Sequence, residues 1–208
     1  MKRRSLLKAG AAFAVPGVLS FGASAKPVSK AKAPKVLVVY FSRPGMNYVS
    51  GDMVNLPVGN TEKFAKIIAK TLDAPLFRIE PVTPYPFDYR KTTAIAREER
   101  SAGKARDAKA IPDIRGYDVI FWGHPIWYGE MPYIVRGVLS KLDCAGKTIV
   151  PFVTHEGSGI GDTANLVRSF QKRAAVREGL GILGTRFARN EPVEPEITAW
   201  LKRLGYQK

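Results

Sequence analysis

Three short segments of this 208-residue chain combine residue types that can hold a small charged ligand. The first joins hydroxyl and amide side chains to a helix start, where backbone N–H groups can bind a phosphate. The second has two adjacent aromatic rings, which can flank a flat heteroaromatic group. The glycines of the third let a ligand's polar edge approach the backbone closely. The segments are Ser42-Arg43 with Gly59, Asn60 and Thr61; Pro125, Ile126, Trp127, Tyr128 and Gly129; and Thr154, His155, Glu156, Gly157, Ser158 and Gly159.

The elements around these segments predict an α/β fold. A continuous apolar run at 36–42 predicts a strand buried on both faces, and Phe64, Ile67 and Ile68 predict a helix that begins near Asn60. Further strands alternate with helices, which indicates a parallel sheet covered on both faces, with right-handed crossovers. The strands are predicted at 76–80, 117–124, 147–153 and 179–187, and the helices at 89–103, 131–141, 163–175 and 192–204. The three segments would then meet at the carboxyl ends of strands, where such sheets bind ligands.

Residues 44–58 interrupt the first segment, because they separate Ser42 from Gly59. The insertion contains Gly and Asn residues, which suits a loop. We expect a mobile loop beside the phosphate end of the site, where it could form a lid.

Two histidines and one cysteine are the other candidates for chemistry. We interpret His124 as a structural residue closing its strand, and His155 as a neighbour of the ligand's edge. A metal site of His124, His155 and Glu156 is conceivable, but no single element carries metal-ligand spacing, so no metal is predicted. Cys144 cannot form an internal disulfide, since it is the single cysteine, and a small apolar filler is its simpler interpretation.

The start of the chain resembles a twin-arginine export signal. Arg3 and Arg4 precede a mild apolar region, and the small residues at 23–25 resemble a cleavage site, so residues 1–25 are predicted to be a signal peptide. The alternative is a short membrane anchor, but the apolar region is too short and too rich in Gly and Ala to span a bilayer comfortably. Residues 26–34 then form a flexible leader, and 35–205 a single domain. A bacterial, periplasmic or otherwise exported protein with no stable membrane span after cleavage is expected.

The charge is strongly positive, at +15 for the whole chain. Residues 1–25 carry four basic residues and no acid, so the predicted mature chain keeps 15 − 4 = +11. Such a balance can indicate nucleic acid, an anionic membrane or an acidic partner. The basic residues are scattered, and none of the aromatic-interleaved basic motifs of nucleic-acid modules is present, so no nucleic-acid partner is predicted.

Taken together, the three segments in this order resemble the flavodoxin family. The resemblance covers about 35–205 and includes the Ile79-to-Tyr85 segment and the terminal Trp200-to-Gly205 segment, which fit its bacterial flavodoxin-like branch. It implies a flavodoxin-like three-layer α/β/α fold with a five-stranded parallel sheet of order 2-1-3-4-5, and bound FMN. A short phosphate loop usually joins the first strand to its helix in that family, whereas this chain carries the 44–58 insertion. Simple electron-carrier flavodoxins are usually acidic, whereas this chain is basic.

Carried over residue by residue, the resemblance implies that Ser42, Asn60 and Thr61 hold the FMN phosphate while Arg43 and Gly59 shape the loop. Residues 125–129 would flank the isoalloxazine ring, and residues 154–159 would border its pyrimidine side. The implied function is a redox flavoprotein. It is either an electron carrier that serves another redox protein or an FMN-dependent oxidoreductase that takes hydride from NAD(P)H and reduces a quinone-like acceptor. The alternative from another class is a binding module that kept the fold and lost the flavin.

Overall fold

A computed structural model of the chain describes residues 33–206. The predicted signal peptide at 1–25 and most of the leader lie outside these residues. The strands are β1 Val36–Tyr40, β2 Gly45–Val49, β3 Asp52–Leu56, β4 Leu76–Arg78, β5 Val119–Pro125, β6 Thr148–His155, β7 Ala175–Val176 and β8 Leu180–Leu183. The helices are α1 Asn60–Leu72, α2 Tyr89–Ala102, α3 Tyr133–Leu139, α4 Thr163–Phe170, α5 Gly184–Ala188 and α6 Glu194–Arg203. None of the helices in this part of the chain is both long and apolar enough to cross a bilayer.

The main sheet is parallel and confirms the predicted fold. Its order is β4-β1-β5-β6, with β7 and β8 both pairing the outer side of β6, which is the 2-1-3-4-5 order with the fifth strand in two pieces. Val38 pairs with Leu76 on one side and with Phe121 on the other, so β1 lies inside the sheet with both edges satisfied. The carboxyl ends of β1, β5 and β6 therefore lie side by side, as a parallel sheet requires.

Apolar side chains cover both faces of the sheet. On one face, Phe64 and Ile68 of α1 pack with Trp200 of α6 in a core of buried residues. On the other face, Trp122 of β5 packs with Ile134 and Val138 of α3. Alternate residues of each strand supply the two cores, which is why the strands are apolar throughout their length.

The fifth strand differs from its prediction at 179–187. The structure has two short strands, β7 and β8, and then helix α5 begins at Gly184. β6 pairs with β7 through Thr148 and Ile149 and with β8 from Phe152 onward, so the break falls beside Pro151. Proline has no N–H to donate to a ladder, which accounts for the interruption at that position.

The insertion forms a β-hairpin, whereas the sequence predicted a mobile loop. β2 and β3 pair antiparallel from Gly45↔Leu56 to Val49↔Asp52. The two turn residues, Ser50 and Gly51, have φ of 51° and 104°, the left-handed geometry of a tight two-residue hairpin turn. The Met46 N–H donates to the Phe87 carbonyl at 2.9 Å, which fixes the hairpin to the segment before α2.

Candidate functional site

The carboxyl end of β1 and the start of α1 form a cradle of polar groups. Ser42 is buried, and its Oγ accepts a hydrogen bond from the Glu62 N–H at 3.1 Å. The backbone N–H groups of Asn60 and Thr61 have no acceptor within α1, because the helix contains no carbonyl four residues before them. The Thr61 hydroxyl lies 2.7 Å from the Thr154 hydroxyl, which joins α1 to the end of β6. Amides and hydroxyls thus converge at one point, as phosphate binding requires.

Gly59 is needed at this point because the backbone and Ser42 lie very close to it. A Cβ at Gly59 would lie 2.3 Å from Ser42 Oγ and 2.6 Å from the Arg43 carbonyl oxygen. The φ of Gly59 is −68°, so its backbone conformation suits any residue and only the space is lacking. The end of β1 and the start of α1 can therefore pack this closely only because residue 59 has no side chain.

Asn60 carries a buried polar atom with no partner. Its Oδ1 is inaccessible to solvent and accepts no hydrogen bond from the described residues. A buried amide oxygen left in this way costs roughly 1–3 kcal/mol unless a ligand or water donates to it. Gly184 packs closely against this amide, since a Cβ there would lie 2.7 Å from both Asn60 Nδ2 and Glu156 Oε1. Asn60 and Gly184 both line a cavity at this point.

A cavity of about 150 Å³ opens over this cradle. Ten of the predicted site residues line it: Ser42, Arg43, Asn60, Thr61, Pro125, Ile126, Trp127, Thr154, His155 and Glu156. We call it the first cavity. Gly59 lies directly behind its wall, whereas Tyr128, Gly129, Gly157, Ser158 and Gly159 do not line it. The carboxyl ends of three adjacent strands thus bring the three segments to one place.

The Arg43 side chain turns away from the cradle. Its Nη1 donates to the carbonyls of Pro44, Pro86 and Phe87 at 3.1, 2.9 and 3.2 Å, and its Nη2 donates to the Met46 carbonyl. Burial lowers the pKa of this guanidinium, but an arginine stays charged in a protein. No carboxylate within the described chain forms an ion pair with it. Arg43 is therefore a buried positive charge that shapes the loop and hairpin, with the Asp88 carboxylate near enough to act on its pKa but not in contact with it.

The second segment forms a tight turn after β5. Trp127 and Glu130 exchange backbone hydrogen bonds at 2.9 and 3.0 Å, and the residues between them, Tyr128 and Gly129, have φ of 50° and 79°. Trp127 lines the first cavity, and its ring also packs perpendicular to the rings of Phe41 and Tyr85. It is thus both a core aromatic and a cavity wall. The Tyr128 side chain is partly exposed, and its hydroxyl donates to the Thr93 carbonyl at 2.8 Å.

The third segment places an imidazole and a carboxylate at the cavity. The Gly157 N–H donates to His155 Nδ1 at 3.1 Å, so this nitrogen carries no proton. Burial also lowers the pKa of His155, which favours a neutral ring at neutral pH. Glu156 accepts from the Thr185 hydroxyl at 2.5 Å and is thereby held toward α5. The neutral ring and the anchored carboxylate both line the first cavity.

Four further residues line the first cavity that the sequence did not indicate: Asn47, Tyr48, Tyr89 and Gly184. Asn47 and Tyr48 come from the hairpin, and Tyr89 begins α2 after an Asp88 cap whose carboxylate accepts from the Lys91 N–H. Burial raises the pKa of Tyr89, so its phenol remains a hydroxyl donor. Tyr48 and Tyr89 are aromatic residues that a reader of the sequence could have noted, but only the folded structure brings them to the cavity.

The remaining candidates lie elsewhere or serve the core. His124 is buried in β5, and its Nδ1 lies 3.0 Å from the Pro125 carbonyl. Burial lowers its pKa to about 4, so the ring is neutral. Cys144 is buried, and burial raises its thiol pKa to about 11, which suits a filler and not a nucleophile. Residues 33–206 contain no group of three or more His, Cys, Asp or Glu side chains placed to hold a metal ion.

Comparison with solved structures gives the same fold. A protein described as a flavoprotein from Bacteroides eggerthii matches with a TM-score of 0.64 and 26% identity, over 83% of this chain and 98% of that one. A second, from Bacteroides uniformis, matches with a TM-score of 0.60 and 24% identity, over 80% and 99% of the two chains. A flavoprotein from Lactobacillus acidophilus in complex with FMN matches with a TM-score of 0.52 and 20% identity, over 72% and 93%.

A family comparison agrees with these likenesses. No curated protein sequence matches the chain. The flavodoxin family model, however, matches residues 35–204, which contain the cradle, the aromatic turn and the third segment. The chain belongs to the flavodoxin family.

Proposed function

We propose that this chain binds FMN in the first cavity and acts as a redox flavoprotein. The observation that carries the proposal is the cradle itself, where hydroxyls, first-turn amides and the unpartnered Asn60 Oδ1 converge. The amides and hydroxyls can donate to a phosphate ester and the Asn60 oxygen can accept from a hydroxyl of the same ligand, which is the composition of FMN. The FMN complex known for a protein of the same fold supports the choice of ligand.

The residues present fit distinct parts of that ligand. Ser42, Asn60 and Thr61 would hold the phosphate through hydroxyls and backbone N–H groups, with no ion pair. Trp127 and Ile126 would wall one side of the ring. Thr154 and His155 would border its other edge.

FMN supplies hydride and electron transfer when it is bound, and the protein sets binding, access and potential. Reduction adds negative charge to a bound group, so a fixed positive charge nearby favours it electrostatically. Arg43 supplies such a charge at the cavity, and its guanidinium has only carbonyl acceptors. The Glu156 carboxylate lines the same cavity and acts in the opposite direction. The reduction potential would therefore depend on the balance between these two charges.

FMN binding is tested first on the purified full chain. Protein as isolated, or after incubation with FMN and gel filtration, should carry one equivalent of flavin and its visible absorbance. Protein that remains colourless and takes up no FMN removes the proposal and favours a binding module that has lost the flavin.

Anaerobic stopped-flow reduction then separates an enzyme from a carrier. NADH and NADPH are each mixed with the FMN-loaded protein, with and without a quinone. Fast reduction followed by reoxidation by the quinone identifies an NAD(P)H-dependent reductase. Slow reduction by both nucleotides identifies a carrier that exchanges electrons with another redox protein. The ordered hairpin lines the first cavity through Asn47 and Tyr48. It supports the enzyme, because it narrows the entrance so that only small molecules would reach the flavin.

We also propose export by the twin-arginine route in a bacterial cell, with the mature chain in the periplasm. The support is the sequence of residues 1–25, with Arg3 and Arg4 ahead of the apolar region. Replacement of both arginines by lysine keeps the charge and should retain the protein in the cytoplasmic fraction. Unchanged export of that variant would contradict the proposal.

A further inference from the structure

A second cavity lies on the other side of Ser42 and Arg43 from the first. Its volume is about 550 Å³, which is the size of a small-molecule site. Residues of the hairpin, of the end of β4 and of the segment 81–87 line it, and it is partly open to solvent. Three aromatic side chains, Phe41, Tyr85 and Phe87, line it. We call it the second cavity.

The walls of the second cavity are held rigidly in place. Four prolines, Pro44, Pro57, Pro81 and Pro84, restrict the backbone around it. The Tyr85 hydroxyl donates to Glu99 Oε2 at 2.8 Å, and the Arg106 guanidinium lies 3.9 Å from the centre of the Tyr85 ring. Arg106 is itself paired with Glu99 at 2.5 Å. A ligand entering between such walls loses little free energy to ordering the protein.

The exposure of the Phe87 side chain at this cavity is not explained by packing within the chain. The side chain is 60% exposed, although a buried aromatic ring is favourable and an exposed one is not. Its ring lies beside Gly45, whose Cβ would stand 3.2 Å from Phe87 Cδ2. The hairpin therefore holds this ring at the cavity without covering it. A flat apolar molecule in the cavity would bury it.

The polar groups of the cavity are mainly cationic. Lys109 Nζ lies 3.0 Å from Glu80 Oε2, and Arg78 Nε lies 4.0 Å from Glu80 Oε1, so two cations share one carboxylate. Arg78 also reaches Glu62 at 3.2 Å, outside the cavity lining. With Arg43, which has no ion pair in the described chain, the lining carries three positive charges and one negative charge. An anionic group is favoured there over a neutral one.

We propose that the second cavity binds a small aromatic molecule that carries one carboxylate or sulfonate group. The ring would lie among Phe41, Tyr85 and Phe87, and the acidic group would face Arg78 and Lys109. Both Phe41 and Tyr85 pack perpendicular to Trp127, at centroid distances of 5.5 and 5.0 Å, so aromatic rings lie between this ligand and the first cavity. The proposal stands on the second cavity alone and does not depend on FMN.

The test is calorimetric titration of the full chain with 2-naphthoate, with and without added FMN. One equivalent should bind in both cases. Phe87→Ala should weaken binding about tenfold, because it removes an aromatic wall. Val82→Ala is the matched control: Val82 is 58% exposed on the same segment, does not line the cavity, and should leave binding unchanged. Equal losses in both variants, or no binding to the unmodified chain, would overturn the proposal.

A second pair of variants tests the charge. Lys109→Gln should weaken naphthoate binding about threefold, as expected for an exposed ion pair, and Lys104→Gln should leave it unchanged. The neutral 2-naphthamide should bind about tenfold more weakly than the acid. Equal affinity of the amide and the acid would overturn the choice of an anionic ligand. Displacement of FMN by naphthoate would place the probe in the first cavity and overturn the proposal of a separate site.

Discussion

The two cavities share Ser42 and Arg43 but have opposite chemistry. The first is built from backbone amides, hydroxyls and an unpartnered amide oxygen at the ends of parallel strands. The second is built from aromatic and prolyl side chains on the hairpin and on an irregular segment. The first follows from the topology, because a parallel sheet always brings its carboxyl ends together. The second depends on the hairpin formed by the 44–58 insertion. Arg43 forms part of the wall of both.

The largest effect should come from substitution of Arg43, which lines both cavities. Arg43→Gln removes a buried guanidinium and leaves several carbonyls with fewer donors, so the free energy of unfolding should fall by about 4 kcal/mol. Both FMN and naphthoate should bind more weakly. Arg43→Lys keeps the charge but cannot reach all the carbonyls. Its free energy of unfolding should therefore lie between those of the unmodified chain and of Arg43→Gln. Urea unfolding provides the measurement. A glutamine variant as stable as the unmodified chain would show that the cavities do not depend on this residue.

A change confined to the cradle should separate the two cavities. Gly59→Ala places a methyl group 2.3 Å from Ser42 Oγ, so the strand end and helix start must move apart. FMN affinity should fall about a hundredfold, or about 3 kcal/mol, while naphthoate binding changes little. Gly116→Ala is the control, because a Cβ there meets nothing within 4 Å. Retention of FMN affinity in Gly59→Ala would place the phosphate elsewhere.

The strand beneath the first cavity should make stability depend on pH. His124 is buried with a pKa lowered to about 4, below its unfolded value, so the unfolded chain binds a proton first as the pH falls. Its contribution is complete above the unfolded pKa and is lost between about pH 6.5 and 4, with a loss of about 2.5 kcal/mol at about pH 4.5. His124→Asn keeps a donor for the Pro125 carbonyl and should be less sensitive to acid. Carboxylates titrate in both proteins, so the difference between their pH profiles is what is measured. Identical profiles would contradict the assignment.

The smallest effect should come from one hydroxyl in the cradle. Thr61→Val leaves the Thr154 hydroxyl without its 2.7 Å partner and should lower the free energy of unfolding by about 1 kcal/mol. FMN affinity should fall about fivefold, since a donor beside the phosphate is lost. Ser169→Ala removes an exposed hydroxyl on α4 and should change neither quantity. Equal FMN affinity in Thr61→Val would exclude this hydroxyl from the phosphate site.

The parts of the fold that the sequence predicted are those determined by local pattern. Buried apolar runs identified the strands, and their alternation with helices identified a parallel sheet and the edge where three segments meet, while the sheet order came from the family resemblance. The hairpin was missed because residues 45–56 lack a clear alternation, and because the contact that fixes it, from the Met46 N–H to the Phe87 carbonyl, comes from a segment far along the chain. The break in the fifth strand was missed because its cause, Pro151, lies on the neighbouring strand.

The same division applies to the site. The residues predicted for the first cavity follow strand ends, so their meeting depends on topology alone. Tyr89 and Asn47 reach it through the packing of α2 and the hairpin, which no local pattern encodes. The sequence also did not predict where the Arg43 side chain points, because its acceptors are backbone carbonyls and not acidic side chains. Residue types do not indicate which backbone carbonyls will accept a hydrogen bond.

The phosphate cradle is tested most directly by comparing FMN with riboflavin on the unmodified full chain. The two ligands share the ring and the hydroxyl chain and differ only in the phosphate. If Ser42, Asn60 and Thr61 hold that phosphate, FMN should bind at least about a hundredfold more tightly than riboflavin, and Gly59→Ala should abolish most of the difference. Equal affinity for FMN and riboflavin, or no affinity for either, would contradict a phosphate site at the first turn of this fold.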